Sequence, residues 1–278
     1  MFTQLAAKFF GAQAQGCSAL EKYSSPRISF NSSAEGSSAI VIDKANLSFA
    51  KQPIFQEFSL AIPAQETTCF LGPSGIGKSS LLRLIIASQK NSNTAKPSLA
   101  YMAQDDLLLP WLTVLDNVLI GFYLRQGTLF KRKKVTETQL STAKDLLNKV
   151  GLKEVWDFKP SALSGGMRQR VALARTLMED CSIVLMDEPF ARLDWVTRTQ
   201  LQDLAQQLLR QRTVVLVTHD PMEALKLGNQ IHILGGRPVK IAYSLALTDN
   251  NNQQLGDLEM VNLLSKLKAE LEKAAHAW

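Results

Sequence analysis

From residue 40 onward the chain is built of short apolar runs, each bounded by polar or turn residues. Residues 40–42, 58–62 and 68–71 are such runs and read as strands. The third ends at Gly72, and residues 79–86 after it carry apolar positions at helical spacing. Further along, residues 183–186, 214–217 and 231–234 are again short apolar strands, with an amphipathic helix over residues 197–210 between the first two. Strands that alternate with helices and are apolar throughout predict an α/β fold with a mostly parallel sheet covered on both faces.

Between residues 113 and 178 the pattern is helical, with Leu146, Leu147, Val150 and Leu152 on one side and few strand signals, which predicts an inserted helical subdomain at about residues 106–179. Residues 257–275 form an amphipathic helix through Leu258, Val261, Leu264, Leu267 and Leu271, within a helical tail expected over 241–278. Residues 1–38 are rich in Ser, Ala, Gly and Gln and are expected to be a mobile extension, leaving 39–240 as the main domain. No cleaved signal peptide is expected, because Lys8 interrupts the apolar positions Phe2, Leu5, Ala6, Phe9 and Phe10.

Composition narrows this picture only a little. A 278-residue chain with 46% hydrophobic and 20% charged residues is an ordinary globular protein and not a disordered or collagen-like one. No apolar run approaches the roughly 18 residues that a membrane helix needs. The net charge of +6 is concentrated in residues 122–160, above all at Lys131, Arg132, Lys133 and Lys134. That run is either a solvated face or a surface for anionic lipid or nucleic acid. Cys17, Cys69 and Cys181 are an odd number without metal-ligand spacing, which suits a reducing compartment.

The chemistry begins at Gly72-Pro73-Ser74-Gly75-Ile76-Gly77-Lys78-Ser79, followed by Ser80, between a strand and a helix. Glycines in such a loop let the backbone approach phosphates, and the N–H groups at the helix start supply positive potential. Lys78 is then placed to reach the β and γ oxygens and Ser79 to ligate Mg²⁺. The second element is the apolar run 183–186 followed by Asp187, Glu188 and Pro189. A buried strand here delivers two acids to its C-terminal edge, where ligands bind in open α/β sheets. Asp187 suits a metal shell and Glu188 a general base for water. Together the two motifs point to a nucleotide hydrolase using ATP and Mg²⁺.

Leu163-Ser164-Gly165-Gly166-Met167-Arg168-Gln169-Arg170, starting 24 residues before Asp187, resembles the signature motif of ATP-binding-cassette (ABC) ATPases. The resemblance spans residues 40–235 and implies a RecA-like P-loop NTPase core with an antiparallel β-subdomain and a helical subdomain. It also implies a head-to-tail homodimer, in which Ser164, Gly165 and Gly166 close on the γ-phosphate held by the other protomer. By the same resemblance Gln104 is the Q-loop glutamine, touching metal or water, Asp194 the D-loop acid, and His219 the switch histidine. Phe49 either stacks on adenine or belongs to the core. Two features depart from the family. Lys78 and Gln104 are only 26 residues apart, so the β-subdomain is expected to be reduced, and Arg192 stands where a small residue is usual.

Residues 107–118, with Leu109-Pro110-Trp111, resemble the nitrate, sulfonate and taurine importer branch, which includes importers of thiamine pyrimidine precursors. This implies an energy-coupling subunit peripheral to the cytoplasmic face of the cell membrane. Its implied partners are membrane permease subunits and an extracytoplasmic substrate-binding protein, and no nucleic acid is expected. The alternative is a soluble ATPase of the same class acting on nucleic acid or ribosomes, which the basic run encourages. Against it, the chain has neither the long coiled-coil insertion of the repair ATPases nor the tandem cassettes of the translation factors.

Overall fold

The structure, a computed structural model, describes residues 27–30, 38–50, 52–91, 99–125, 135–247 and 257–276. Cys17 and the basic run Lys131, Arg132, Lys133 and Lys134 lie outside the described residues.

A six-stranded sheet forms the centre of the fold. Its strands are β4 (Thr67–Leu71), β5 (Leu99–Met102), β6 (Ile183–Asp187), β7 (Thr213–Val217), β8 (Gln230–Gly235) and β9 (Lys240–Ala246). They are ordered β5-β6-β7-β4-β8-β9, and all pairs are parallel except β8 with β9. Every residue of β6 and β7 is buried, as the continuous apolar runs predict for strands covered on both faces. A second, antiparallel sheet is made by β1 (Arg27–Phe30), β2 (Ser38–Phe49) and β3 (Gln52–Pro63), in that order.

Successive side chains of a strand point to opposite faces, and this divides the core in two. Phe70, Leu185, Val215 and Val217 face helix α1 (Lys78–Asn91) through Leu81, Leu82, Leu84 and Ile85, and the antiparallel sheet closes over that layer with Ile40, Ile42 and Ile62. Cys69, Leu71, Val184, Met186 and Leu216 face the opposite layer of helices. These helices are α2 (Val114–Val118), α3 (Ile120–Arg125), α4 (Glu137–Lys149), α5 (Gly165–Met178), α6 (Trp195–Leu209), α7 (Pro221–Leu227) and α8 (Asp257–His276). Of these, α2 to α5 form the helical subdomain. Thr136 and Gln139 make a reciprocal capping box at the start of α4, so that helix has its own start signal in sequence.

Several elements differ from the sequence expectation. Arg27–Phe30, placed in the mobile extension, is a strand whose register pairs Ile28 with Ile42 and Phe30 with Ile40. Residues 241–246, placed in a helical tail, form with Lys240 an edge strand alternating between exposed and half-buried positions, a weak pattern with polar residues at both Lys240 and Ser244. β5 has only four residues, and α7 only seven, too few for periodicity to show either. β2 and β3 run for 12 residues each, past the apolar runs that signalled them, because bulges at residues 42–48 carry the pairing through polar positions. The short interval between Lys78 and Gln104 is taken up largely by α1 and β5, consistent with a small antiparallel sheet.

α8 packs on α7, β8 and β9, with Leu267 and Ala274 buried while Leu258 is 77% exposed. Leu267→Ala is therefore expected to cost about 2 to 5 kcal/mol in denaturant unfolding. Leu258→Ala is expected to stay within about 0.5 kcal/mol, as an exposed position should.

Candidate nucleotide site

The parallel pairing of β4, β7 and β6 brings three loops to the same C-terminal edge. After β4 comes the phosphate loop, in which two glycines are required by space and conformation. A Cβ at Gly72 would lie 2.9 Å from the Leu234 carbonyl oxygen, and one at Gly77, where φ is +115°, would lie 2.9 Å from Ile54 Cγ2. The Lys78 ammonium donates to the carbonyls of Gly72 (2.7 Å) and Pro73 (3.0 Å), which folds it across the loop. Burial pushes its pKa down, against the opposing pull of Glu188 and Asp187.

β6 ends in Asp187, which is buried, and burial raises its pKa above the usual carboxylate range, while a hydrogen bond from Ser79 pulls it down. Ser79 and Asp187, two of the three residues expected at the metal with Gln104, are thus brought into contact between α1 and β6. The Ser79 hydroxyl and the buried Asp187 carboxylate are hard oxygen donors that suit Mg²⁺, which completes its shell with waters and phosphate oxygens and needs no protein cage. Among the described residues there is no cluster of three or more His, Cys, Asp or Glu for a fully protein-bound metal.

Glu188 follows in the left-handed region, at φ +47°, an unfavourable conformation for a non-glycine residue and one found often at functional sites. Its N–H donates to the Val217 carbonyl at 2.9 Å, tying the end of β6 to the end of β7. Its carboxylate faces two other predicted residues. Glu188 Oε2 lies 3.3 Å from His219 Nδ1 and 3.5 Å from Gln104 Nε2. Gln104, Glu188 and His219, from the ends of β5, β6 and β7, therefore meet at one point.

Phe49 is 48% exposed at the end of β2, so the core reading is set aside. It lines an open pocket of about 360 Å³ together with Gly75 and Ile76 of the phosphate loop. The signature residues are placed otherwise. Ser164 caps α5 by accepting from the Met167 N–H at 3.2 Å, and Gly166 faces the Arg192 carbonyl. Ser164 and Gly165 are both exposed. Asp194 is likewise exposed and caps α6, and the Thr197 N–H holds its carboxyl below the usual carboxylate range. Within one chain, the signature stretch and Asp194 present an open polar surface.

Sequence reasoning named Arg168 and Arg192 but missed that they converge with Arg175 around residues 104–107. Arg168 pairs with Asp106 at 3.0 Å, Arg175 donates to the Asp106 and Leu107 carbonyls at 2.7 and 2.9 Å, and Arg192 pairs with Asp105 at 2.6 Å. The spacing of Arg168 and Arg175, seven residues apart on one helix face, was the available signal. Glu223 was also missed. It is buried on α7 behind His219, and desolvation pushes its pKa up to about 8 despite a hydrogen bond from Thr218.

The folded pKa of Glu223 lies above its ordinary value, so its protonated form contributes stability at low pH that is lost as pH rises through about 8. Glu223→Gln is expected to flatten this slope. Its melting temperature should exceed that of the wild type by about 4 °C or more at a pH above about 8, with the gain shrinking toward about pH 5.

Comparisons with known proteins identify the family. The ABC transporter family pattern matches residues 55–191. An ABC transporter ATP-binding protein of Haemophilus influenzae is 44% identical over 200 residues, 69% of this chain and 80% of the relative. An aliphatic sulfonates import ATP-binding protein of Pseudomonas syringae pv. tomato is 37% identical over 82% of this chain and 94% of its own length. A formylaminopyrimidine import ATP-binding protein of Halalkalibacterium halodurans is 36% identical over 68% and 76%. Among solved structures, a dimeric ATP-binding cassette in a post-hydrolysis state with ADP and Pi superposes with a TM-score of 0.60. It is 25% identical over 73% of this chain and 95% of its own. With its phosphate loop, strand-end acids and signature helix in place, the chain belongs to the ATP-binding subunits of ABC transporters, which hydrolyse ATP to drive transport.

Proposed function

We propose that the chain is the energy-coupling subunit of an importer for a small nutrient, a sulfonate or taurine, nitrate, or a thiamine pyrimidine precursor. The observation that carries the hydrolytic part is the meeting of Gln104 and His219 on Glu188, beside Asp187, Ser79 and Lys78. The backbone N–H groups of residues 72–79, with Ser80, hold the ATP phosphates, and Lys78 swings from the loop carbonyls to the β and γ oxygens. Phe49 packs on the adenine. Glu188 accepts a proton from the attacking water, while Gln104 and His219 orient that water and the terminal phosphate. Ser79, Asp187 and Gln104 would hold Mg²⁺, which when bound would offset charge on the β and γ oxygens.

A single chain supplies half of this machinery. The exposed Ser164, Gly165 and Asp194, with the half-buried Gly166, serve the phosphate loop of a second copy in a head-to-tail homodimer, a reading supported by the dimeric state of the related cassette. Membrane permease subunits dock beside the exposed Trp111, and an extracytoplasmic binding protein delivers the substrate. No helix among the described residues is long and apolar enough to cross a membrane. In this reading the chain attaches peripherally, through the permease at the cytoplasmic face. The import direction and the substrate class draw on the relatives' names. Those names weigh against the reading as a soluble ATPase on nucleic acid or ribosomes.

Glu188→Gln is expected to lower ATP turnover at least about a hundredfold while nucleotide binding, followed by a fluorescent ATP analogue, stays within about threefold of wild type. Undiminished turnover would remove Glu188 from the role of base.

A further inference from the structure

Two segments approach each other twice at the site. Residues 104–105 meet residues 188–192 first through Gln104 and Glu188, then through Asp105 and Arg192. The first contact, at 3.5 Å, is at the limit of a hydrogen bond and holds little by itself. The second is a charge-assisted bond of 2.6 Å. Residues 105–107 are at the same time gripped from the helical subdomain by Arg168 on Asp106 and by Arg175 on the Asp106 and Leu107 carbonyls. Leu107 stands in the left-handed region at φ +47°, so the backbone turns sharply where that grip is applied.

We propose that Arg192 is a positioning residue for Gln104, its ion pair with Asp105 keeping the glutamine against Glu188 when the helical subdomain pulls on residues 105–107. Without Arg192, the side chains of other elements that grip residues 105–107, among the described residues, are Arg168 and Arg175 of α5, and Gln104, held to Glu188 by its long contact alone, follows that helix away from Glu188. The carbonyl of Arg192 also faces Gly166 at the start of α5. The same residue therefore reports the position of the signature helix to the glutamine. Arg192 and Asp105 are 44% and 61% exposed, so the pair is weak enough to break and reform in each cycle.

This inference rests on the ATPase reading above. The test uses the full chain and compares wild type, Arg192→Ala, Asp105→Asn, both changes together, and the exchanged pair Arg192→Asp with Asp105→Arg. Steady-state ATP turnover and hydrogen exchange of the peptide covering residues 104–107 are measured for each. Both single variants are expected to lose about two- to fivefold in kcat, with KM for ATP moving less than about twofold. Exchange in 104–107 should quicken in both. The double variant should be no worse than either single, and the exchanged pair should recover turnover and protection. Unchanged kcat and exchange in Arg192→Ala, additive losses in the double variant, or an exchanged pair as poor as the singles would overturn the proposal. A wild-type chain that turns over no ATP would instead sink the ATPase reading, and the exchange data would still decide whether Arg192 holds the segment.

Discussion

The site depends on the register of three parallel strands. β4 lies between β7 and β8, and β7 pairs β6 on its other side, so the phosphate loop, the Asp187-Glu188 pair and His219 all leave the sheet at one edge. Backbone bonds fix their relative depth. Thr218 donates to the Phe70 carbonyl and Glu188 donates to the Val217 carbonyl, at 3.1 and 2.9 Å. Because the strands are buried on both faces, slipping by one residue would exchange the two core layers, a change that neither layer tolerates. The chemistry therefore inherits its precision from packing far larger than the site itself.

Around that edge, charge is concentrated where water is scarce. Lys78 and Asp187 are both buried, and each has its pKa displaced by desolvation toward its neutral form while neighbours pull it back. Such a site is costly unless an anion and a cation are brought to it, and triphosphate with a divalent ion supplies both. Glu223, which lines the same small cavity as His219, adds a carboxyl held neutral by burial. Cys69 and Cys181 are buried, and burial pushes both thiols up, so neither has thiolate character at neutral pH.

The site was more legible in the sequence than the fold was. Phosphate chemistry demands particular residues at fixed spacing, so Gly72 to Ser79, Asp187 and Glu188 announce themselves in one dimension. The buried strands 183–186 and 214–217 were equally plain, since continuous burial leaves a continuous apolar run. Elements whose order comes from a partner were not. β1 exists because Ile28 and Phe30 find Ile42 and Ile40, and β9 because it lines up on β8. β1 is only four residues long, and β9 alternates between exposed and half-buried positions without a fully buried face, so neither pattern alone announces a strand. The pairing of Arg192 with Asp105 joins residues 87 positions apart, and such ion pairs leave no trace in spacing. Arg192 reads as an anomaly in the sequence and as an anchor in the fold.

The claim that this ATPase powers import is tested most directly by isolating the tagged chain from gently solubilised membranes, identifying what accompanies it and assaying ATP turnover. The account predicts a multi-spanning permease, with turnover that rises when a substrate-binding protein and a sulfonate or pyrimidine precursor are added. Recovery from the soluble fraction with ribosomes or nucleic acid, and turnover indifferent to those additions, would contradict it.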